Sequence, residues 1–240
     1  MIQLAISGCQ GRMGQSIIRL ASEDKNFAIK TLLENKDHPQ ANAKINDIQI
    51  STDINDIKGC NVLIEFTTPE ATIKNLQACC EHGVRMVIGT TGLSHEQVEE
   101  IKKASKKIPI VYSSNMSVGV NVLFKLTDIA AQKTGHSYSI VITEAHHIHK
   151  KDSPSGTAKT LEQIAEKAGD REVTKINSIR EGEIVGDHDV IFESEQDIIK
   201  LSHHAKNRDI FAKGALVAAK FIAGKRKAGL FNMQDVLGLN

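Results

Sequence analysis

The segment from Glu144 to Thr157 carries more groups able to do chemistry than any other part of the chain. It contains three histidines, two lysines and a turn in which two hydroxyl residues flank a glycine. Histidine is the side chain that most readily gives and takes protons near neutral pH. A lysine beside it, here Lys150, can donate a proton or hold an anion. The composition of the segment therefore indicates proton transfer combined with anion binding.

The turn Ser155-Gly156-Thr157 is followed by an apolar run of helical spacing from Ala158 to Ala168. A hydroxyl residue directly before such a run is typical of a helix N-terminus, so we expect a helix over Ser155–Lys167. The unpaired N–H groups at the start of a helix suit a carboxylate or a phosphate. The acid–base groups and an anion site are thus predicted within one short stretch of chain.

The three histidines, His146, His147 and His149, have two other possible roles. Adjacent histidines on an extended strand point to opposite faces, so they do not converge as metal ligands. No cysteine or carboxylate completes a set at a usual metal spacing, and Lys150 would repel a cation. A solvated basic loop is the other alternative. We favour proton transfer and predict no metal.

The N-terminus has a second pattern, in which a short apolar strand, Ile2–Ser7, runs into Gly8-Cys-Gln-Gly-Arg-Met-Gly14 and then into a helical run, Gln15–Ala21. Strand, glycine-rich turn and helix is the arrangement that places a pyrophosphate on backbone N–H groups. The glycines have the spacing Gly-x-x-Gly-x-x-Gly rather than Gly-x-Gly-x-x-Gly, which makes the signal less specific when it stands alone.

The next predicted strand, Phe27–Leu33, ends at Glu34, which lies 20 residues after Gly14. An acidic residue at about this distance accepts hydrogen bonds from the ribose hydroxyls of a bound dinucleotide. An ordinary turn between strand and helix would explain the glycines but not the position of Glu34. We therefore expect dinucleotide binding.

With these residues in view, the chain resembles the 4-hydroxy-tetrahydrodipicolinate reductase family, also called dihydrodipicolinate reductase, of diaminopimelate and lysine biosynthesis. The resemblance spans nearly the whole chain. The His-His-x-His-Lys and Ser-Gly-Thr motifs are its specific part. It rests on these segments: Gly8-Cys-Gln-Gly-Arg-Met-Gly14, Glu65-Phe-Thr-Thr-Pro69, Val87-Ile-Gly-Thr-Thr-Gly92, Ser114-Asn-Met-Ser-Val-Gly-Val-Asn121, Glu144-Ala-His-His-Ile-His-Lys150, Asp152-Ser-Pro-Ser-Gly-Thr157 and Gly229-Leu-Phe-Asn-Met-Gln-Asp-Val-Leu237.

The resemblance implies roles for particular residues. It makes His146 the acid–base group and Lys150 the proton donor of the reaction. It implies two further sets of residues. The substrate carboxylates would be bound by His147, Ser155, Gly156 and Thr157, and the dinucleotide by Gly8, Cys9, Gln10, Gly11, Arg12, Met13, Glu34, Gly89, Thr90, Thr91, Ser113, Ser114, Asn115 and Met116.

Some of these assignments have simpler alternatives. The segment Gly89-Thr-Thr-Gly92 could be a structural turn, although loops that follow parallel strands usually line the ligand crevice. Arg12 could hold a phosphate or stack on adenine, but as a turn residue it could equally be solvated. Where some family members have an arginine after the ribose-binding acid, this chain has Asn35, followed by Lys36. The cofactor is thus NADH or NADPH, and we expect NADH to serve with NADPH tolerated.

Composition limits the classes of function. With 30 basic and 29 acidic residues the net charge is +1, so no strong field favours nucleic acid or a membrane surface. Hydrophobic residues make up 40% of the chain, enough for a buried core. No apolar run approaches a membrane-spanning length, and we expect a cytoplasmic protein. The four cysteines form no Cys-x-x-Cys pair, so reduced thiols are expected.

Element patterns predict two domains. In the first half, strands alternate with helices, which is typical of a parallel, helix-covered sheet. After a long helix over Val118–Thr134, the β-like runs have few helices between them. We expect further strands over Val62–Phe66, Arg85–Ile88, Ile108–Tyr112, Ser137–Ala145, Thr174–Arg180, Val190–Glu193 and Asp197–Ala205. Further helices are expected over Ala71–His82 and Ile210–Gly224, and a third should begin at the capping box Ser94-His-Glu-Gln97 and end at Lys106. A polar loop is expected over Asn35–Asp47.

The predicted fold class is α/β, a Rossmann-type parallel sheet with a second α+β domain that carries a mixed or antiparallel sheet. Residues 1–117 and 208–240 are assigned to dinucleotide binding, and residues 118–207 to substrate binding and oligomerisation. The resemblance implies a homotetramer that reduces a cyclic dicarboxylate. Two alternatives stay open at this point: another NAD(P)-dependent reductase of a small dicarboxylate, and a dinucleotide-sensing regulator that would not need Lys150 beside His146.

Overall fold

Apart from one run of three successive strands, strands and helices alternate through the first 117 residues of the computed structural model, which describes residues 1–240. The elements are β1 (Ile2–Ser7), α1 (Arg12–Ser22), β2 (Phe27–Leu33), β3 (Lys44–Ile45), β4 (Ile48–Ser51), a 3₁₀ turn (Ile54–Ile57), β5 (Val62–Glu65), α2 (Pro69–His82), β6 (Arg85–Ile88), α3 (His95–Ala104) and β7 (Pro109–Tyr112).

The remainder of the chain begins with the long helix and then changes pattern. Its elements are α4 (Val118–Thr134), a 3₁₀ turn (Gly135–Ser137), β8 (Ser139–His146), α5 (Gly156–Gly169), β9 (Lys175–Arg180), β10 (Asp187–Glu193), β11 (Ile198–His204), α6 (Asp209–Ala223), β12 (Gly229–Phe231) and α7 (Met233–Leu237). The chain divides into two compact units, and the division falls at Ser117/Val118 and Ile210/Phe211. The first unit holds residues 1–117 and 211–238, and the second holds residues 118–210.

The first unit contains one eight-stranded sheet with the order β12-β7-β6-β5-β1-β2-β4-β3. Neighbouring strands are parallel except for the antiparallel pair β3–β4. The chain moves from β1 outward to β2 and β4, then returns to build β5, β6 and β7 on the other side of β1. In such sheets the ligand crevice lies at the strand carboxyl ends where the order reverses. That place is between β1 and β5.

Both faces of this sheet are buried, because alternate residues of one strand enter different apolar clusters. Leu4 and Ile6 of β1 pack in a cluster that includes Ala215 and Ala219 of α6. The intervening residue, Ala5, packs in a second cluster with residues of α2 and α3. Helix α6 thus contributes to the core of the first unit.

The second unit has a four-stranded mixed sheet with the order β11-β10-β8-β9. The pairs β11–β10 and β10–β8 are antiparallel, and β8–β9 is parallel. Along β8 every second residue is buried, and Ile140 and Ile142 pack in a core with α4 and α5. The same alternation places Glu144 and His146 on the buried face of this strand, which positions the site described below.

The predicted fold class is confirmed, and several element bounds are too. The strands β1, β2 and β6 and the helix α4 have the predicted limits. The capping box at Ser94 and Gln97 is present with both of its hydrogen bonds. The predicted loop over Asn35–Asp47 was wrong at its end, where β3 pairs with β4. The sequence analysis also missed β4, β12 and α7, since elements of two to five residues give too short a periodic pattern to detect. No helix is both long and apolar enough to cross a membrane.

Candidate active site

The glycine-rich turn of the first unit joins β1 to α1 with the backbone in close contact. Gly8 has a φ of 71°, a conformation that glycine adopts without steric cost. A Cβ atom on Gly14 would lie 2.2 Å from the carbonyl oxygen of Gly8, so only glycine fits where the helix meets the turn. Gly11 caps the helix, whose first residue, Arg12, is exposed. The turn thus presents the free N–H groups of α1 at the carboxyl end of β1.

Glu34 reaches back over this turn from the end of β2. Its Oε2 accepts a hydrogen bond of 2.9 Å from the backbone N–H of Gln10, and its Oε1 accepts one of 2.8 Å from Asn35. The carboxylate is therefore fixed beside the glycine turn, where a ribose diol would need an acceptor. Asn35 itself is exposed, as is the following residue, Lys36.

A cleft of about 600 Å³ opens at this switch point of the first unit. Four of the predicted dinucleotide-binding residues line it: Gly8, Gln10, Gly11 and Glu34. Its remaining wall consists of Ser7, Leu33, Asn35, Lys36, His38, Thr52, Ile54, Phe66, Thr67, Thr68, Ala71, Lys74 and Asn75. The side chain of Cys9 is buried beneath the turn, and Met13 packs against the core. The cleft has the place and the groups that a dinucleotide requires, since a glycine turn, an acid and helix N–H groups meet there.

The segment Gly89–Thr91 lies beyond β6 and contacts the loop that follows β5. A Cβ on Gly89 would lie 2.2 Å from the ring of Phe66. The buried hydroxyl of Thr90 accepts a hydrogen bond of 3.1 Å from the N–H of Thr67 and bonds Thr72 at 2.9 Å. Thr91 is exposed. Within the first unit, Gly89 and Thr90 therefore pack against the loop after β5, whose residues Phe66 and Thr67 line the cleft described above.

The segment Ser113–Met116 follows β7. The Ser113 hydroxyl donates to the carbonyl of Asn115 at 2.9 Å, and the Asn115 side chain accepts from Ser117 N–H at 2.9 Å. Met116 is buried in the core of the first unit, and Ser114 is exposed. These bonds fix a compact turn at the carboxyl end of the strand.

A fully buried carboxyl group, that of Glu65, lies at the end of β5 beside the cleft. Thr67 donates a short hydrogen bond to one of its oxygens, and Asn75 donates one of 2.7 Å to the other. The same Asn75 amide donates to the Ser7 hydroxyl at 3.0 Å. Burial raises the pKa of Glu65 against the opposing effect of these neutral donors. Sequence reasoning quoted Glu65 only as part of a motif and assigned it no role.

In the second unit, the buried face of β8 carries an ionised group. Glu144 is fully buried, and its carboxylate accepts hydrogen bonds of 3.0 and 2.8 Å from the two terminal nitrogens of Arg180 on β9. The His146 Nδ1 lies 2.5 Å from Glu144 Oε2. The backbone N–H of Ser155 donates to Glu144 Oε1 at 3.2 Å. One carboxylate thus contacts the predicted acid–base histidine and the predicted anion-binding turn.

The charges around Glu144 decide its ionisation. Burial by itself would raise the pKa of Glu144, but hydrogen bonds from Arg180, Ser178 and His146 outweigh it and lower the pKa to about 2. Burial lowers the pKa of His146, and the neighbouring Glu144 works in the opposite direction. The His146 ring therefore favours its uncharged form, and in that form it can accept a proton.

Lys150 and His147 lie in the loop that follows β8. The Lys150 ammonium forms an ion pair of 2.8 Å with Asp152, and 21% of its side chain is exposed. The ring of His147 contacts Arg208 at 3.3 Å. The loop backbone is anchored by His147 N–H to Ile184 and by Glu181 N–H to His146. These groups give the segment a fixed shape and a positive charge near the solvent.

The predicted helix start is confirmed at Ser155, which is the N-cap of α5. Its hydroxyl accepts a hydrogen bond of 3.2 Å from Ala158 N–H and lies 3.3 Å from His188 Nε2. Both polar groups of Ser155 thus have protein partners. Gly156 is exposed and Thr157 half-buried at the first turn of the helix. Gly156 and Thr157 are therefore the more accessible residues of this helix start.

Two residues that sequence reasoning did not single out complete this group, Arg180 and His188. His188 on β10 is buried, and its ring meets that of His146 edge-on at 5.2 Å between centroids. Burial and the neighbouring His146 lower the pKa of His188 to about 4. No group of three or more histidine, cysteine, aspartate or glutamate side chains is placed to hold a metal ion.

Comparison with known proteins gives one consistent family. The family model described as "Dihydrodipicolinate reductase, N-terminus" matches residues 2–116, and "Dihydrodipicolinate reductase, C-terminus" matches residues 119–237. A protein of Nitrosomonas eutropha named 4-hydroxy-tetrahydrodipicolinate reductase is 40% identical over 266 residues, covering 100% of this chain and 99% of that protein. One of the same name from Pelagibacter ubique is 41% identical over 256 residues, covering 98% of each.

Among solved structures, the dipicolinate-bound dihydrodipicolinate reductase of Paenisporosarcina sp. TG-14 has a TM-score of 0.84 to this chain. It is 22% identical and the match covers 98% of both chains. At this identity the likeness bears on the fold, and it agrees with the two-unit architecture described above.

Proposed function

Because the chain belongs to the dihydrodipicolinate reductase family, we propose that it reduces 4-hydroxy-tetrahydrodipicolinate to tetrahydrodipicolinate with NAD(P)H in diaminopimelate and lysine biosynthesis. The reaction removes water from the substrate and adds a hydride and a proton. The cofactor, when bound, supplies the hydride. The protein must bind two carboxylates, orient the ring and deliver the proton.

The observation that carries this proposal is the group around Glu144 in the second unit. A histidine with a lowered pKa, His146, is hydrogen-bonded to a buried carboxylate next to the start of helix α5. A ring with two carboxylates would be bound at Gly156 and Thr157, because helix N-termini and positive charges bind anions. His147 and Lys150 add cationic or donor side chains at the same loop. His146 and Lys150 are the groups that can move the proton.

The first unit fits the cofactor. We assign the pyrophosphate to the N–H groups after Gly11 and the ribose diol to Glu34, which already faces the turn. Gly89–Thr91 and Ser113–Met116 are assigned to the nicotinamide side. A 2′-phosphate would meet the charge of Glu34, and its nearest cation in sequence is Lys36. We therefore expect NADH to be used at least as well as NADPH.

The second unit also supports the proposed homotetramer. Ile179 on β9 and Ile198 on β11 are exposed, with 43% and 61% of their surface accessible. Large apolar side chains on an open sheet are covered in many oligomers. Light scattering coupled to size exclusion should give four times the chain mass of 26.2 kDa. A monomer at micromolar concentration would contradict the assignment. The cytoplasmic location stays a prediction.

The decisive experiment follows NADH absorbance after addition of 4-hydroxy-tetrahydrodipicolinate to the purified protein. Absorbance should fall in proportion to the substrate added, and pyridine-2,6-dicarboxylate should inhibit the decay. A dinucleotide-sensing regulator would bind NADH without consuming it. A reductase of some other dicarboxylate would consume NADH with that compound and leave 4-hydroxy-tetrahydrodipicolinate untouched. Either result would refute the proposed reaction.

A further inference from the structure

The carboxylate of Glu144 has polar partners on β8, on β9 and at the start of α5. Arg180 on β9 binds both oxygens at once. His146, two residues along on β8, bonds Oε2, and the Ser155 N–H at the start of α5 bonds Oε1. A buried carboxylate with bidentate arginine contact has a fixed orientation, because both hydrogen bonds must be satisfied together. Glu144 is therefore a rigid acceptor.

This acceptor determines where the proton of His146 resides. An ionised carboxylate has no hydrogen to donate, so the His146 nitrogen that faces it must carry one. Nδ1 is that nitrogen. In the neutral ring the lone pair then lies on Nε2, which is the nitrogen left to exchange a proton with a substrate. Without Glu144 nothing in the contacts of Nδ1 would select this tautomer.

The surroundings of Nε2 are consistent with that use. Gly186 lies beside this nitrogen, since a Cβ on Gly186 would lie 3.1 Å from His146 Nε2. A side chain at this position would crowd the nitrogen, and glycine leaves its side of the ring open. The ring of His188 meets His146 edge-on and restricts its rotation. The imidazole is thus held by Glu144 on one side and by His188 on its flank.

We propose that Glu144 and Arg180 are positioning residues for the reaction, in that they fix the tautomer and orientation of His146 and tie it to the turn that begins α5. This inference rests on the proposed function, since it gives His146 the role of proton-transfer group. Arg180 acts through Glu144, because its charge keeps the carboxylate ionised inside the protein. The Ser155 hydrogen bond links the same carboxylate to the helix start that would hold the substrate.

The charged and titratable groups that face His146 determine whether its pKa rises or falls in each variant. Glu144 favours the protonated ring, while burial, Lys150 and Arg180 disfavour it. His188 lies against the ring from β10. Replacing Glu144 by glutamine removes the favourable charge and leaves the others, so His146 should protonate at a lower pH. Replacing Arg180 as well removes an opposing charge and should reverse part of that change.

Three variants test the proposal: Glu144→Gln, the double variant Glu144→Gln/Arg180→Gln, and Glu193→Gln as a control on an exposed carboxylate. The double variant leaves no unpaired buried charge, so it separates loss of function from loss of folding. For both variants at Glu144 we expect kcat of the folded protein to fall about 10²-fold or more, because a wrongly held tautomer has cost as much as about 10⁴-fold in other enzymes. The KM for NADH and the rates of the control should stay within about twofold.

Nitrogen-resolved NMR of the histidine rings gives a second readout that needs no substrate. His146→Gln identifies the His146 signals. In the neutral ring, wild type should have a proton on Nδ1 and none on Nε2. Glu144→Gln and Glu144→Gln/Arg180→Gln should show a mixture of the two tautomers. The pH at which the ring protonates should fall in Glu144→Gln, together with the matching limb of the kcat/KM profile.

The proposal is overturned if the His146 tautomer is the same in wild type and in both variants. It is also overturned if thermal stability falls while kcat of the folded protein is unchanged, since that is what a purely structural ion pair would do. The NMR result stands even if the protein proves inactive toward 4-hydroxy-tetrahydrodipicolinate. Failure of the proposed reaction and failure of the positioning role are thus seen separately.

Discussion

Two glutamates are fully buried in this molecule, Glu65 in the first unit and Glu144 in the second, and their ionisation is shifted in opposite directions. Glu65 has neutral partners, the side chains of Thr67 and Asn75, and burial raises its pKa. Glu144 has the guanidinium of Arg180, and its pKa is lowered to about 2 although burial opposes this change. The charge of a hydrogen-bond partner can therefore outweigh the effect of burial on the ionisation of a carboxyl group.

The two candidate sites also differ as a whole. The cleft of the first unit combines glycine backbone, N–H groups, hydroxyls and amides with one fixed acid, Glu34, and has Lys36, His38 and Lys74 in its wall. The site of the second unit is made of ionised or ionisable side chains, His146, Lys150 and Arg180 among them. Binding a cofactor needs shape and donors that do not change during the reaction, whereas moving a proton needs groups that titrate. Five predictions test this difference.

The largest effect is expected where titrating groups are removed from the second unit. His146→Gln or Lys150→Met should lower kcat about 10²–10⁴-fold, the usual contribution of a positioned acid or base. The midpoint of thermal unfolding should change little for Lys150→Met, since Lys150 is bonded only to the exposed Asp152. Steady-state kinetics with 4-hydroxy-tetrahydrodipicolinate is the measurement. Near-normal turnover in either variant would mean that the site is misassigned.

The second prediction compares the two buried glutamates directly by isosteric substitution. Glu144→Gln should lower the free energy of unfolding by about 3–5 kcal/mol, because it leaves Arg180 with an unpaired charge. The lower end of this range is expected, because 20% of the Arg180 side chain is exposed and water can partly solvate its charge. Glu65→Gln should cost less than about 1.5 kcal/mol, because an amide can keep neutral hydrogen bonds there. Chemical unfolding at pH 7 measures both. Equal costs would remove the distinction between the two sites.

The third prediction concerns the pH dependence of stability. Glu144 has a depressed pKa, so its contribution is present above its ordinary value of 4.5 and is lost as the pH falls toward about 2. Glu65 has a raised pKa, so its contribution is present below 4.5 and is lost as the pH rises through the raised value. The free energy of unfolding is measured between pH 2 and pH 8 and plotted against pH. Glu65→Gln should flatten this plot above pH 4.5, and Glu144→Gln should flatten it below pH 4.5. If Glu65→Gln flattened the pH dependence below pH 4.5 and Glu144→Gln flattened it above pH 4.5, the charges of the hydrogen-bond partners would not explain the two pKa shifts.

The fourth prediction addresses anion binding at the start of α5. Thr157→Val should weaken the binding of pyridine-2,6-dicarboxylate by about 1–3 kcal/mol, as expected for a lost hydrogen bond to a charged group. Thr160→Val is a matched control on the same helix, since its hydroxyl bonds the backbone of Gly156. Inhibition constants measured for both variants are the test. An unchanged constant for Thr157→Val would show that the hydroxyl takes no part.

The smallest effect is expected in the first unit, where the cofactor preference should change without a change in chemistry. Wild type should have a kcat/KM for NADH at least equal to that for NADPH. Asn35→Arg should move the ratio toward NADPH by about tenfold, roughly 1.4 kcal/mol, because a guanidinium can bind a 2′-phosphate through two hydrogen bonds. Both ratios must be measured at one ionic strength. A wild type that prefers NADPH tenfold would direct attention to Lys36, which lines the same cleft.

Much of this molecule could be predicted from local sequence patterns, since those patterns reflect local physics. The glycine turn follows from a positive φ that favours glycine at Gly8 and from a close backbone approach that admits only glycine at Gly14. The N-cap at Ser155 follows from its hydroxyl and the helical run after it. The period of two along β8 could even have placed Glu144 on the same face as His146, although sequence reasoning did not use it.

Only the tertiary structure brought Arg180 and His188 to that face. Arg180 is 36 residues from Glu144 in sequence, and it lies opposite His146 through the parallel pairing of β8 with β9. His188 faces Glu144 through the antiparallel pairing of β8 with β10. Strand register is set by the packing of the whole sheet, which no short window of sequence contains. The sequence alone therefore determined which residues could do the chemistry, and strand pairing decided which of them are held charged, neutral or correctly oriented.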